Sequence, residues 1–164
     1  MRRFSLVLLS TFTFLALPLV AQGKMMESRL GLGFRDSMAI AGLPALAMNY
    51  YPNSEFGMTG ALGIDTEENN SKFGLQLGLR KRIFEEDQLN FYMGGAFTLL
   101  TQEVATVKKS GYELSALVAT EFFLPGLENL GFNLEAGIGV SNVDKVRFRT
   151  LGQSFLGAGI FFYL

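Results

Sequence analysis

The chain is expected to fold as an all-β, eight-stranded antiparallel up-and-down transmembrane β-barrel behind an N-terminal signal peptide. Three observations predict this. Residues Leu130, Phe132, Leu134, Ala136, Ile138 and Val140 are apolar, and they alternate with Gly131, Asn133, Glu135, Gly137 and Gly139, which are polar or tiny. Period-two alternation marks a strand with two unlike faces. A second face made of glycines and a carboxylate suits a tight polar lumen behind a hydrocarbon-facing wall. The same alternation recurs along the chain in stretches of roughly ten residues, enough to cross hydrocarbon at a steep tilt. Downstream of Lys24 there is no apolar run long enough for a membrane helix, so a spanning chain must cross with strands.

Composition narrows the function classes. The 164 residues suit one domain, 49% hydrophobic and 18% charged, with 19 glycines and 16 phenylalanines. Cysteine is absent, so there is no disulfide framework and no cysteine for lipid attachment. Histidine is also absent, which removes the commonest acid–base group near neutral pH. A net charge of −1 offers no basic field for nucleic acid.

Arg2 and Arg3 precede an apolar run from Phe4 to Ala21 broken by Pro18. A basic segment, an apolar segment and a small terminal residue describe a secretory signal peptide, residues 1–21, cleaved after Ala21 or Gly23. The barrel then occupies residues 22–164 and, without Arg2 and Arg3, carries a charge of −3, twelve cations against fifteen carboxylates.

The first strand runs from Ser28 to Phe34, with Leu30, Leu32 and Phe34 opposite Arg29, Gly31 and Gly33. A connection around Asp36 to Gly42 leads to the second, Ala45 to Tyr51, and Pro52-Asn53-Ser54 forms a short turn. The third, Glu55 to Ile64, ends at the polar loop Asp65 to Ser71, and the fourth covers Lys72 to Phe84. After Glu85-Glu86-Asp87 the fifth runs from Gln88 to Leu100, and Gln102 to Ser110 is expected to be a longer loop. The sixth, Gly111 to Phe123, turns at Pro125-Gly126 into the seventh, Leu130 to Val140. Asn142 to Gln153 is expected to be the last long loop, before a final strand from Phe155 to Leu164. Short and long connections alternate, which puts the short ones in the periplasm and the long ones outside the cell.

Aromatic residues fall on the outward parity at two levels. Tyr50, Phe56, Phe91, Phe122, Phe132 and Phe162 lie near the short turns and are expected to form a periplasmic girdle, with Phe34, Phe73 and Tyr112 near the other end. Glycine dominates the inward parity, where it lets a small barrel curve and leaves room for larger side chains. The inward charges Arg80, Glu121, Glu135, Arg29 and Glu113 are expected to form a lumen polar cluster, Arg80 pairing with Glu121, Glu135 or both. About eight strands leave a lumen that side chains fill.

With this alternation, girdle, loop asymmetry and terminal strand, residues 25–164 resemble the small eight-stranded outer-membrane barrels of Gram-negative bacteria, the OmpA-barrel and OmpX-like kind. The resemblance implies the bacterial outer membrane, Sec-type export and insertion by the outer-membrane assembly machinery. It implies roles in envelope integrity or adhesion, with no cofactor. In that superfamily the last strand ends in an aromatic residue; here Leu156, Ala158, Ile160 and Phe162 keep the alternation but the chain ends in Leu164.

The expected function is that of a non-enzymatic barrel with a plugged polar lumen, structural or surface-interacting through its extracellular loops. The loops differ in charge: Asp65, Glu67 and Glu68 are acidic, whereas Lys145, Arg147 and Arg149 are basic and suited to membrane lipid or lipopolysaccharide phosphates. The alternative is a narrow, porin-like pore for small solutes. An enzyme is disfavoured, since Ser115 and Ser141 face inward without a recognisable base. A soluble lipocalin-like ligand-binding barrel would need the apolar face inside.

Overall fold

The computed structural model describes residues 25–36, 43–151 and 157–164, and all regular structure among them is strand. The signal segment, both cleavage positions, the 37–42 part of the first connection, and Phe155 and Leu156 lie outside the described residues. Nine strands follow in order: β1 Arg29–Asp36, β2 Pro44–Tyr51, β3 Phe56–Asp65, β4 Lys72–Glu86, β5 Leu89–Val104, β6 Val107–Leu124, β7 Leu127–Asn142, β8 Val146–Leu151 and β9 Gly157–Tyr163. Each of β1 to β7 pairs antiparallel with the next, and β9 pairs with both β7 and β1, which closes the cylinder. β8 and β9 both lie along β7, so together they make the eighth stave of an up-and-down barrel. We call the end holding Arg29, Tyr163 and the connections at 52–55, 87–88 and 125–126 the lower rim, and the opposite end the upper rim.

Side chains alternate as the strand period requires. In β2 the alternate residues Ala45, Ala47, Asn49 and Tyr51 are buried while Leu46, Met48 and Tyr50 are exposed. β4 shows the contrast most sharply: Leu77 and Leu79 are 63% and 65% exposed, while Gln76 and Arg80 are 3% and 2% exposed. The barrel is therefore apolar outside and mixed polar and aromatic inside.

Two connections differ from expectation. The segment expected as a loop from Gln102 to Ser110 is a β-hairpin whose ladder runs up to Val104↔Val107, turning on Ala105 and Thr106 alone. Both turn residues have positive φ, 50° and 72°, as a two-residue hairpin turn of matching twist demands. The segment expected as a loop from Asn142 to Gln153 holds β8, paired with β7 from Asn142↔Val146 to Gly137↔Leu151. Past Leu100 the apolar alternation that announces a strand fades in β5 and β6, although their pairing continues to Val104↔Val107. β8 keeps the alternation, with Val146 and Phe148 exposed and Arg147 and Arg149 paired with the inward Ser141 and Gly139, but over only six residues.

The turn between β6 and β7 is legible in its residues. Pro125 pre-sets the φ of the first corner and Gly126 supplies φ 84° at the second, the left-handed geometry that favours glycine. At the lower end of β4 the register changes from Arg82↔Tyr92 to Phe84↔Phe91, leaving Ile83 as an extra residue. This bulge exposes both Ile83 and Phe84 and adds Phe84 to the outward aromatics of the lower rim.

Candidate functional site

The lower half of the lumen is built around Glu121, a fully buried carboxylate on β6. Three tyrosines from three other strands reach it. Tyr51 of β2 donates from its hydroxyl to Oε2 at 2.8 Å, Tyr92 of β5 donates to the same oxygen at 3.4 Å, and Tyr163 of β9 donates to Oε1. Asn49 in turn donates from Nδ2 to the Tyr163 hydroxyl at 3.1 Å. A carboxylate taken from water needs such donors to replace its hydration.

Arg80 of β4 completes the group by a different contact. Its guanidinium carbon lies 5.4 Å from the Tyr51 ring centre and 5.0 Å from that of Tyr92. Both distances are within cation–π range. Among the described residues none of its three guanidinium nitrogens has a hydrogen-bond partner. Of the expected pairing of Arg80 with Glu121, Glu135 or both, no direct ion pair is present among the described residues; instead the rings that face the cation carry hydroxyls that bind the Glu121 carboxylate. Tyr51 and Tyr92 mediate between opposite charges.

Glycines make room for these rings. An added Cβ on Gly31 of β1 would meet the Tyr163 ring at 2.5 Å, and one on Gly131 of β7 would meet it at 2.8 Å. Gly57 of β3 stands in the same relation to Tyr51, at 2.8 Å. Phe123, Phe161 and Met26 pack around the tyrosines and are almost wholly buried.

The other charges expected in one cluster occupy separate levels. Glu135 of β7 accepts from Arg35 of β1, both oxygens lying 3.3 Å from Nη1. Glu113 of β6 accepts from Arg149 of β8 at 2.8 Å near the upper rim. Arg29 lies at the lower rim, where it donates to Asn129 at 2.6 Å and its guanidinium carbon stands 5.7 Å from the Tyr163 ring centre. Strand tilt and stagger carry inward positions to different heights, which counting from the turns does not register. Between the levels, Gln76 donates to Thr98 at 3.0 Å. Ser115 donates to the Ala96 carbonyl at 3.3 Å.

Arg35, Arg149 and the tyrosines Tyr51 and Tyr163 are the residues that sequence reasoning missed. Arg35 has the inward parity of Arg29, Gly31 and Gly33, one place beyond where the first strand was expected to stop. Tyr51 and Tyr163 likewise share the parity of Asn49 and Phe161. Arg149 lay in the segment expected as loop.

The six aromatics expected at one girdle all take the outward face near the lower rim. Phe122 and Phe132 are paired across β6 and β7 and stack with ring centres 5.3 Å apart. Phe56 pairs with Lys81, whose ammonium lies 5.8 Å from the ring centre. Tyr50 and Phe162 are exposed, and Phe91 is partly so, opposite Phe84.

No protein-family profile and no curated protein matches the chain. Among solved structures it is similar to the N-terminal β-barrel domain of Pseudomonas aeruginosa OprF, with a TM-score of 0.55 at 14% identity. The match covers 87% of this chain and 100% of that domain. The likeness and the closed strand order agree on the fold, an eight-stave antiparallel up-and-down β-barrel.

Proposed function

We propose that this chain is a non-enzymatic outer-membrane β-barrel of a Gram-negative envelope, with a plugged lumen and with its surface interactions at the upper rim. The observation that carries this reading is the inversion of faces. Leu77, Leu79, Leu114, Phe34 and Ile160 are more than half exposed, whereas Glu113, Glu121 and Arg80 are buried inside. Such a face would be costly in water but suits hydrocarbon, and it is the reverse of a soluble ligand-binding barrel. The fold shared with the OprF barrel domain supports the same placement.

In this orientation the lower rim faces the periplasm and its aromatics form the interfacial girdle. The upper rim faces outward, with lipopolysaccharide as neighbour and the assembly machinery as route of insertion. Residues 1–21 act as the Sec-type signal. The buried aromatic and Glu121 group across the lower lumen supports a plug rather than a solute path.

Two measurements test this. The protein extracted from membranes should partition into detergent, with an intact mass beginning after Ala21 or Gly23. In planar bilayers it should give no large stable conductance. Recovery from the aqueous phase would refute the membrane reading, and steady channels would make the protein a narrow pore.

A further inference from the structure

We propose that the upper rim holds a binding cup for a multiply charged phosphate anion, set between the β5–β6 and β7–β8 hairpins. The proposal deepens the surface-interacting reading above by naming the chemistry of what is bound.

The cup is a cavity of about 600 Å³ whose cationic walls are Lys109, Lys145, Arg147 and Arg149. The register explains why they converge. Gln102 pairs with Lys109, Ser141 with Arg147 and Gly139 with Arg149, and directly paired residues share a face of the sheet. Gln102 and Ser141 belong to the inward parities of β5 and β7, so Lys109, Arg147 and Arg149 are set toward the mouth of the lumen and away from the outer wall.

Two ion pairs fix the walls. Lys109 of β6 lies 2.9 Å from Asp144 in the β7–β8 turn, tying one hairpin to the other. Arg149 is held by Glu113 at 2.8 Å, which anchors β8 over β6. Those two contacts engage both carboxylates. Lys145 and Arg147 form no ion pair among the described residues. Four cations against two carboxylates leave two positive charges on a chain whose net charge is −1.

The remaining lining defines the ligand further. Gln102 and Ser141 offer uncharged hydrogen-bonding groups. Arginine's planar fork matches phosphate oxygens, and lysine adds a mobile point charge. The complementary solute is a compact polyphosphate or phosphorylated saccharide bearing at least two negative charges. Its phosphate could belong to a soluble molecule or to a lipid headgroup reaching over the rim.

Inorganic tripolyphosphate is the probe, titrated calorimetrically into the folded barrel in zwitterionic micelles at low salt. Saturable binding is expected, weakened at least tenfold by Arg147→Gln and more by Arg147→Gln with Lys145→Gln, but largely kept by Arg147→Lys. Lys81→Gln at the opposite rim should bind like the parent. Heat-modifiable migration on gels confirms that each variant is folded. Absence of saturable binding in the folded parent, or equal affinity in Arg147→Gln, would overturn the cup. Competition with phosphatidylglycerol micelles separates the sources: displacement of tripolyphosphate identifies a lipid phosphate as the natural ligand, and its retention a soluble one. Conductance is measured apart from binding, so a failed cup and a failed plug give different results.

Discussion

Arg35 on β1 reaches Glu135 on β7 across β9, the strand that pairs with both, and β9 presents only glycine at that level. Gly159 pairs with Arg35 on one side and Asn133 on the other, while Gly157 pairs with Glu135. A Cβ on Gly159 would stand 2.9 Å from that of Arg35 and 3.0 Å from the Phe161 ring. The glycines thus clear a passage for a buried ion pair that spans the closure of the barrel.

Removing one partner of a buried pair leaves an uncompensated charge, at a cost of about 3–5 kcal/mol. Glu135→Gln should therefore lower unfolding stability by about 3 kcal/mol, the low end of that range, without opening a channel. The paired replacement Arg35→Leu with Glu135→Leu should restore most of the loss, since neither charge is then stranded. Urea unfolding in lipid vesicles reads both, with conductance as the accompanying check.

Tyr163→Phe deletes a hydroxyl that donates to Glu121 and accepts from Asn49, leaving two buried polar groups short of a partner. The expected loss is about 1–3 kcal/mol. Tyr112→Phe, at an exposed outward position, should change stability by less than about 0.5 kcal/mol in the same titration.

Ala136 lies outward on β7 four residues above Phe132, opposite Val118. A tilted strand climbs roughly 2.5 Å per residue, which puts Ala136 near the middle of a ~25 Å apolar band. Ala136→Arg should cost about 2–4 kcal/mol in vesicles, while Leu164→Phe at the rim should be nearly neutral. Unchanged stability of the arginine variant would show that this face does not meet lipid.

Ala105 and Thr106 hold left-handed backbone without the residues that favour it. Left-handed geometry costs an ordinary residue about 1–2 kcal/mol relative to glycine. Replacing the pair by Asn-Gly, the preferred sequence for this turn, should stabilise the barrel by about 1 kcal/mol. Thermal midpoints in one detergent provide the comparison.

The wall of the barrel is legible because a strand between unlike media must alternate. That requirement marks Leu30, Leu32 and Phe34 as outward as plainly as it marks Gly31 and Gly33 as inward. The β5–β6 hairpin lacks that contrast, since Gln102 and Lys109 on one face and Glu103 and Lys108 on the other are all polar, so its ladder runs on without announcing itself. β8 does alternate, Val146 and Phe148 against Arg147 and Arg149, but over too few residues to stand out from a charged loop. The lumen is half legible. Parity places Arg80, Glu121 and Glu135 inside, but partners across the interior depend on stagger and on ring volume. Parity carries neither: the Tyr163 ring passing over Gly31 and Gly131 depends on three strands at once.

The convergence of Tyr51, Tyr92 and Tyr163 on Glu121 also equips the protein with its own optical reporter. The chain has no tryptophan and five tyrosines, and the remaining two, Tyr50 and Tyr112, lie on the outer wall. Its near-ultraviolet dichroism is thus dominated by three phenols locked in an asymmetric, charged interior, a signal that vanishes when fixed packing is lost even if backbone pairing survives. Closure of the lumen can be followed separately from strand formation, in the unlabelled protein, by comparing the near- and far-ultraviolet bands.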